Sequence, residues 1–287
     1  MSQANLSTLL KSARYEILPT AGVVDRVHEY VAPGRVITVT ASTGLTLEAT
    51  LSTAEQLQAL GFQAVPHIAA RMVQSRTELE EIVARIAQAG IDRIFVPAGD
   101  ATPPAGGYAG ALDLIVDLAS MAAPIQHLGV SAYPETHPLI SDDVTVQAMW
   151  DKRDYATHLV SNLCFDPGVI ATWLARVRAR GIELPLVLGI AGKVELTKLA
   201  RVAGKIGVGE STRFLRKNTA TFSRMAKPGG YNPRKFLDKL APTLDNPAMG
   251  VVGLHIYTFN QIKDTEIWRR KQLAALGHTD EATISNG

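Results

Sequence analysis

Ionisable and polar side chains follow short apolar runs at several places in the first half of this chain. They are Glu16 within residues 15–20, His67 after 62–65, Asp100 after 94–98, and Tyr133 with His137 after 128–131. Strands that all end in polar groups on one side are typical of the mouth of a (β/α)₈ barrel, where enzymes of that fold place their active sites. The pattern therefore predicts a site for chemistry as well as a fold.

Two carboxylates, Glu16 and Asp100, stand at the ends of such runs. At a barrel mouth, Glu16 would serve as a general acid. Its position is also compatible with capping a helix or pairing with a lysine. Asp100 precedes the proline- and glycine-rich residues 102–107, so it is either a second functional carboxylate or an ordinary turn residue.

Two histidines, His67 and His137, each lie beside prolines and are also compatible with packed, hydrogen-bonded roles. They do not have the local spacing of a metal site, so no metal is expected. Residues 207–211, Gly-Val-Gly-Glu-Ser, resemble an anion-binding turn before a helix. That signal is weak, because paired glycines are common at such positions.

Apolar runs of strand length alternate with longer amphipathic stretches, which is typical of βα units and a parallel sheet. Eight strands are predicted, at residues 15–18, 36–40, 62–65, 93–97, 127–131, 158–163, 185–189 and 253–257. The predicted helices include residues 53–60, 76–89, 109–121, 169–180 and 194–203. The apolar residues of these helices recur at helical spacing, so each buries one face.

Local residues mark the ends of these helices. Ser52 or Thr53 and Asp166 are predicted N-caps, because their side chains accept hydrogen bonds from free backbone N–H groups. Gly90 and Gly181 follow helices at the position where glycine accommodates left-handed backbone. The connection at about residues 190–249 is long, and several helices are predicted within it.

These elements predict an α/β fold, a (β/α)₈ TIM barrel with a helical insertion between strands 7 and 8. The chain has 287 residues, which suffices for one barrel of roughly 250 residues. Residues 1–287 are interpreted as a single domain with a polar tail from about residue 277.

Composition argues against several function classes. A net charge of +2 gives no reason to expect a nucleic-acid partner, and no apolar run reaches the roughly 18 residues of a membrane span. The single cysteine, Cys164, lies in an apolar run and is interpreted as a core residue rather than a nucleophile. Because the N-terminus also lacks an apolar signal segment, a cytoplasmic location is predicted.

Taken in order, several segments resemble the methylenetetrahydrofolate reductase family. They are residues 15–20, 39–40, 66–67, 99–104, 132–138, 161–166 and 255–260. The family's Ala-Tyr-Pro-Glu-x-His-Pro stands unchanged at 132–138, and its opening Phe-Glu-Phe-Phe-Pro-Pro is similar to Tyr-Glu-Ile-Leu-Pro-Thr here. The resemblance covers about residues 14–262 and implies FAD at the carboxyl-terminal face of a barrel.

The resemblance also implies roles for individual residues. Glu16 would protonate the folate nitrogen and open its five-membered ring to an iminium, while Asp100 would tune the flavin and the pterin electrostatically. Asn162, in place of a glutamine, and Tyr257 would bind the substrate. The positions that match flavin-holding residues of the family are Thr40, His67, Gly99, Tyr108, Ser131, Tyr133, His137 and Lys152.

The implied activity is reduction of 5,10-methylenetetrahydrofolate to 5-methyltetrahydrofolate, with NADH or NADPH as co-substrate and FAD as the hydride carrier. The reverse oxidation in methyl-group catabolism stays open. Hydride transfer is the chemistry of the cofactor, and the protein supplies orientation and charge.

Some positions depart from the family's flavin-binding pattern. Ala98 stands where flavin-bound members carry arginine, and Ala148 and Asp151 stand where they carry an amide and a basic residue. Gln261 stands where the family has arginine. Loss of guanidinium forks and gain of a carboxylate weaken the binding of phosphates. A flavin-independent branch, in which the nicotinamide passes hydride directly to the folate, therefore stays open.

Two further function classes stay open, a methyltetrahydrofolate-linked methyltransferase component and a non-catalytic barrel that binds folate or flavin. Retention of both Glu16 and Asp100 argues against the non-catalytic barrel. Residues 99–107 lack the G-x-G-x-x-G spacing, so NADH and NADPH are not distinguished. The sequence does not decide whether the chain forms a homo-oligomer.

Overall fold

The computed structural model describes residues 1–41, 44–121, 123–135, 141–193 and 232–278. Parallel strands in these ranges form one eight-stranded sheet in the order β3-β2-β1-β8-β7-β6-β5-β4. The strands are β1 (Arg14–Ile17), β2 (Val36–Val39), β3 (Gln63–Pro66), β4 (Arg93–Val96), β5 (His127–Ala132), β6 (His158–Ser161), β7 (Leu186–Ala191) and β8 (Val251–Tyr257). Each strand begins and ends within two residues of its predicted bounds.

The sheet closes between β3 and β4. His67 forms a parallel bridge with Phe95, and the backbone N–H of Ile68 donates to the carbonyl of Phe95 at 2.8 Å. Further along, Ala70 N–H donates to the carbonyl of Pro97 at 3.0 Å. The predicted α/β class and (β/α)₈ TIM barrel are therefore confirmed.

Helices alternate with the strands and cover the outside of the barrel. The described helices are α1 (Gln3–Lys11), α2 (Val23–Tyr30), α3 (Leu47–Ala59), α4 (Arg76–Gln88), α5 (Ala111–Ala119), α6 (Asp142–Lys152), α7 (Pro167–Ala179), α8 (Pro233–Lys239), α9 (Ala241–Leu244) and α10 (Ile262–Ala275). Helices α8 and α9 lie in the predicted insertion between strands 7 and 8. The predicted helix 194–203 and the turn 207–211 lie outside the described residues.

One helix start was predicted wrongly. Helix α3 begins six residues before the predicted 53–60, and its N-cap is Thr46, whose side chain accepts from Ala49 N–H. Thr53 is instead a buried residue in the middle of this helix. A threonine resembles a cap in the sequence, but its burial against the barrel overrides that local preference.

The other predicted helix ends are confirmed. Asp166 accepts hydrogen bonds from the N–H groups of Gly168 and Val169 at the start of α7. Gly90 and Gly181 follow α4 and α7 with φ of 70° and 79°, a left-handed backbone that glycine adopts without steric strain.

Strand residues alternate between the helix layer and the barrel interior. Tyr15 points outward, while Glu16 shares its inward face with its register partners Thr38 and Tyr257. None of the helices within the described ranges is both long and apolar enough to span a bilayer.

Candidate functional site

The carboxyl-terminal ends of the strands bring most of the predicted site residues to one mouth of the barrel. The residues that lie in the last two positions of these strands or within four residues after them are Glu16, Thr40, His67, Gly99, Asp100, Ser131, Tyr133, Asn162 and Tyr257. Because parallel strands of a barrel all end at the same rim, this placement follows from the fold. The rim itself was predictable, whereas the contacts across it were not.

Glu16 lies on the floor of this mouth between two buried imidazoles. Its Oε2 atom is 2.9 Å from Nε2 of His255 and 4.0 Å from Nε2 of His67. The Glu16 side chain is 17% exposed, while those of His255 and His67 are 2% and 8% exposed. The carboxyl group is thus reachable from the mouth and hydrogen-bonded from below.

Each of these imidazoles keeps one buried ring nitrogen with no hydrogen-bond partner among the described residues. The atoms are Nε2 of His67 and Nδ1 of His255. Burial lowers the pKa of His67 to about 4, although the charge of Glu16 raises it. His67 is therefore neutral near pH 7 and does not form an ion pair with Glu16.

The loop after β8 fixes the backbone that carries Glu16. Thr258 Oγ1 donates to the carbonyl of Glu16 at 2.6 Å. The Asn260 side chain accepts from Leu18 N–H at 2.9 Å and donates to the Leu18 carbonyl at 3.0 Å. Asn260 has φ of 58°, a left-handed conformation that asparagine tolerates better than most residues. The loop after β8 therefore joins the first and last strands at Glu16.

Tyr257 spans the mouth from β8 to β6. Its hydroxyl donates to the carbonyl of Ser161 at 3.0 Å, and its ring lies edge-on to His255 with centroids 4.8 Å apart. A Cβ atom at Gly189 would lie 2.2 Å from the Ser161 carbonyl oxygen and 2.8 Å from the Tyr257 ring. Glycine at this position of β7 is therefore required for the tyrosine to lie across the barrel.

Asp100 sits in the loop after β4, which is anchored to the loop after β3. Gly99 has φ of 85°, and its Cα packs so closely on Ala69 that a Cβ would lie 3.0 Å from that side chain. Arg71 Nε donates to the carbonyl of Ala101 at 2.8 Å, and its Nη1 donates to Ala109 at 3.1 Å. The Asp100 side chain is exposed, so a braced loop presents this carboxylate to solvent.

The remaining mouth residues differ in how far their polar groups are satisfied. Thr40 keeps a buried hydroxyl with no hydrogen-bond partner among the described residues. Asn162 is exposed, and its Oδ1 accepts from the N–H of Leu163 at 2.8 Å. Ser131 ends the inward face of β5, and Tyr133 follows that strand at partial burial. Thr40 is therefore the group of this set that most needs an outside partner.

Two residues at flavin-matching positions do not lie at the mouth. The hydroxyl of Tyr108 donates to Asp117 on α5 at 2.8 Å, so its ring is buried in the helix layer. Lys152 is in the last turn of α6, a few residues before β6 begins, and thus at the amino-terminal end of the barrel. Burial lowers the pKa of the Lys152 ammonium. His137 lies outside the described residues.

Sequence reasoning assigned no role to several residues that shape this site. His255 and Asn260 stand within the recognised motif 255–260, so the motif itself was the available signal. Arg71 carries no such signal, because its partners are backbone carbonyls 30 and 38 residues further along the chain.

Cys164 is fully buried, which confirms it as a core residue. Burial, and then the charge of Glu135, raise the pKa of its thiol, and its Sγ lies 3.3 Å from Glu135 Oε1. Over the described ranges, no three His, Cys, Asp or Glu side chains are grouped to hold a metal ion.

Comparison with known proteins adds to this geometry. A family model described as Methylenetetrahydrofolate reductase matches residues 20–270 of the chain. The chain is also similar to Methylenetetrahydrofolate reductase 2 of Saccharomyces cerevisiae, with 31% identity over 93 residues. That alignment covers 31% of this chain and spans only 16% of the yeast protein.

Proposed function

The chain belongs to the methylenetetrahydrofolate reductase family, and on that premise we propose that it transfers hydride to the methylene carbon of 5,10-methylenetetrahydrofolate. The product is 5-methyltetrahydrofolate, and NADH or NADPH is the source of the hydride. The observation that carries this proposal is the position of Glu16, a reachable carboxyl group at the barrel mouth, 2.9 Å from a buried imidazole.

Glu16 supplies the proton that opens the substrate ring. The proton passes from the Glu16 carboxyl group to a nitrogen of the five-membered ring, and the bond from that nitrogen to the methylene carbon breaks. The lone pair of the other ring nitrogen forms the iminium, and hydride then adds to its carbon. The substrate gains one proton and one hydride, so charge and atoms balance.

The imidazoles beneath Glu16 support this role in different ways. The N–H of His255 donates to the ionised carboxylate and fixes its orientation toward the mouth. His67 is neutral near pH 7, so it does not hold Glu16 permanently ionised as an ion pair would. A general acid needs this freedom, since it must be protonated at the start of each cycle and ionised at its end.

The other proposed substrate contacts come from the rim. Asp100 is an exposed carboxylate on a braced loop, suited to orient a pterin and to influence the reacting centre electrostatically. Asn162 directly follows β6, Tyr257 ends β8, and both are proposed to bind the pterin. Tyr257 offers the edge of a ring fixed by its hydrogen bond to Ser161.

The flavin-matching positions fit FAD only in part. The unpartnered hydroxyl of Thr40 and the left-handed Gly99 are suited to a ligand at the mouth. Tyr108 and Lys152 lie away from the mouth, and Ala98 has no guanidinium. Arg71 uses two of its five donors on backbone carbonyls of the neighbouring loop. The proposed roles of these residues therefore do not depend on FAD.

Direct hydride transfer from the nicotinamide to the folate is the second candidate. The placement of Tyr108 and Lys152 favours it, because these two would otherwise help hold the flavin. Glu16 keeps the same role in both candidates, since ring opening precedes hydride transfer in either.

The decisive experiment measures oxidation of NADH and NADPH by the purified full chain with methylenetetrahydrofolate, together with its visible absorption spectrum. Production of 5-methyltetrahydrofolate supports the proposed reaction, and its absence with both nucleotides, with and without added FAD, overturns it. Flavin absorption with activity supports the FAD-linked route. Activity without bound or added flavin supports direct transfer.

A further inference from the structure

The amino-terminal end of the barrel interior, opposite the candidate active site, carries a cluster of basic side chains. The basic cluster consists of Arg14, Arg93, His127 and His158, the first residues of β1, β4, β5 and β6. Arg93 and His127 are direct register partners, as are Gly129 and His158. A Cβ atom at Gly129 would lie 2.8 Å from His158 Nε2, so this glycine lets the imidazole lie across the barrel.

The hydrogen bonds of His158 fix it as a neutral group. Arg14 Nη1 lies 2.7 Å from His158 Nε2, and because a guanidinium only donates, Nε2 is the acceptor. The proton of the neutral ring is then on Nδ1, which lies 2.9 Å from Thr157 Oγ1. Burial, and then the charge of Arg14, lower the pKa of His158 to about 3. The imidazole thus binds Arg14 without neutralising it.

The charge of Arg14 has no counter-ion in the described part of the chain. Burial, and then the charge of Arg93, lower the pKa of Arg14 to about 10, so it stays cationic near pH 7. No carboxylate of the described residues lies within ion-pair distance of Arg14. By contrast, Arg93 Nε lies 3.3 Å from Asp92 Oδ1. The one ion pair of the basic cluster among the described residues is therefore Arg93 with Asp92, whose side chain is 37% exposed.

A partly buried charge without a counter-ion is unfavourable, and a bound anion would relieve it. We propose that the basic cluster binds a small tetrahedral oxyanion of the phosphate or sulfate class, held by Arg14 and Arg93 with His127 beside them. Guanidinium groups suit this ligand, because their planar donors match pairs of oxyanion oxygens. The site is at the opposite end of the barrel from Glu16, so it does not depend on the proposed reaction.

The test is thermal unfolding of the full chain in sodium sulfate, and separately in sodium phosphate, against sodium chloride at equal ionic strength. An anion that binds only the folded state raises the unfolding temperature in proportion to the logarithm of its concentration above Kd. We expect such a rise beyond the chloride control in the native sequence. In Arg14→Gln the Kd for sulfate should increase by about tenfold or more, because a charge-assisted contact is lost.

The matched control is Arg76→Gln, which removes an exposed arginine that pairs with Glu80 and Asp117 and should keep the full sulfate effect. If Arg14→Gln does not fold, Arg93→Gln and isothermal titration of the native chain with phosphate replace it. An equal sulfate effect in the native, Arg14→Gln and Arg93→Gln chains overturns the proposal, as does the absence of any effect beyond chloride. A rise with phosphate but not sulfate, or the reverse, assigns the anion.

Discussion

Two carboxylates near β1 are partly or fully buried, yet they are satisfied to very different extents. Glu266 on α10 is 3% exposed and accepts hydrogen bonds from Arg269, Arg270 and the hydroxyl of Tyr15. Among the described residues, Glu16, the neighbour of Tyr15 on the opposite face of β1, has one side-chain hydrogen bond, from His255.

The difference separates a structural charge from the carboxyl group that we propose as the reactive one. Burial opposes ionisation of Glu266, but the hydrogen bonds and charge of Arg269 outweigh it, so the pKa of Glu266 lies below its ordinary value. Every hydrogen-bond partner of the Glu266 carboxylate favours its ionised form, and these contacts hold α10 against the barrel. Glu16 instead faces the open mouth, with a hydrogen bond from His255 and the neutral His67 beside it.

Replacing Glu16 by glutamine should have the largest effect on turnover. Loss of the proton donor should lower kcat by roughly 10²–10⁴-fold, the usual contribution of a general acid. The unfolding midpoint should change little, because glutamine keeps an acceptor for His255. Steady-state kinetics and urea unfolding of Glu16→Gln measure both quantities, and native turnover would remove Glu16 from the mechanism.

Replacing Glu266 by glutamine should reverse that pattern. The variant removes the buried carboxylate that pairs with Arg269, which should reduce the free energy of unfolding by about 3–5 kcal/mol. Turnover per folded molecule should persist. The matched control is Glu80→Gln, whose pair with Arg76 has side chains 49% and 54% exposed, and an exposed pair contributes only about 0–1 kcal/mol. Equal losses in the two variants would contradict the comparison.

As pH is lowered, His67 and Glu266 should each reduce the stability of the fold over a different pH range. The pKa of His67 is about 4 in the folded chain against an ordinary 6.5, so the unfolded state binds the extra proton. Stability should fall as pH decreases from about 6.5 to 4, by up to about 1.4 kcal/mol per pH unit. Glu266, with its lowered pKa, should lose its contribution only as pH falls below its ordinary 4.5.

Urea unfolding at several pH values checks these windows. The variant His67→Gln should have a shallower loss between pH 6.5 and 4 than the native chain. The buried His158 contributes in the same direction and remains in both proteins, so the difference reports His67 alone. An unchanged slope would mean that His67 is protonated in the folded chain.

The smallest expected effect comes from the hydrogen bond between His255 and Glu16. The variant His255→Asn removes a donor to Glu16, and one hydrogen bond is worth about 0.5–1.5 kcal/mol, so kcat should fall by roughly two- to tenfold. The pH profile of kcat should shift, because the carboxylate loses a partner of its ionised form. A purely structural role would lower stability and leave that profile in place.

Much of the fold was predictable because its signals are local. Apolar runs and their spacing located the strands, and the helix ends at Asp166, Gly90 and Gly181 depend on residues within a few positions. The start of α3 was not predicted, since Thr46 and Thr53 look alike in sequence and only burial against the barrel distinguishes them.

The sequence by itself determined that polar residues end parallel strands, and hence that Glu16, Asp100 and Asn162 share a rim. Tertiary structure alone decided which groups meet there, because His255 reaches Glu16 from 239 residues away. It also placed Lys152 at the far end of the barrel and left Arg14 bound to a neutral His158. Side-chain alternation is a property of one strand, whereas burial and charge pairing depend on closing all eight strands into a barrel.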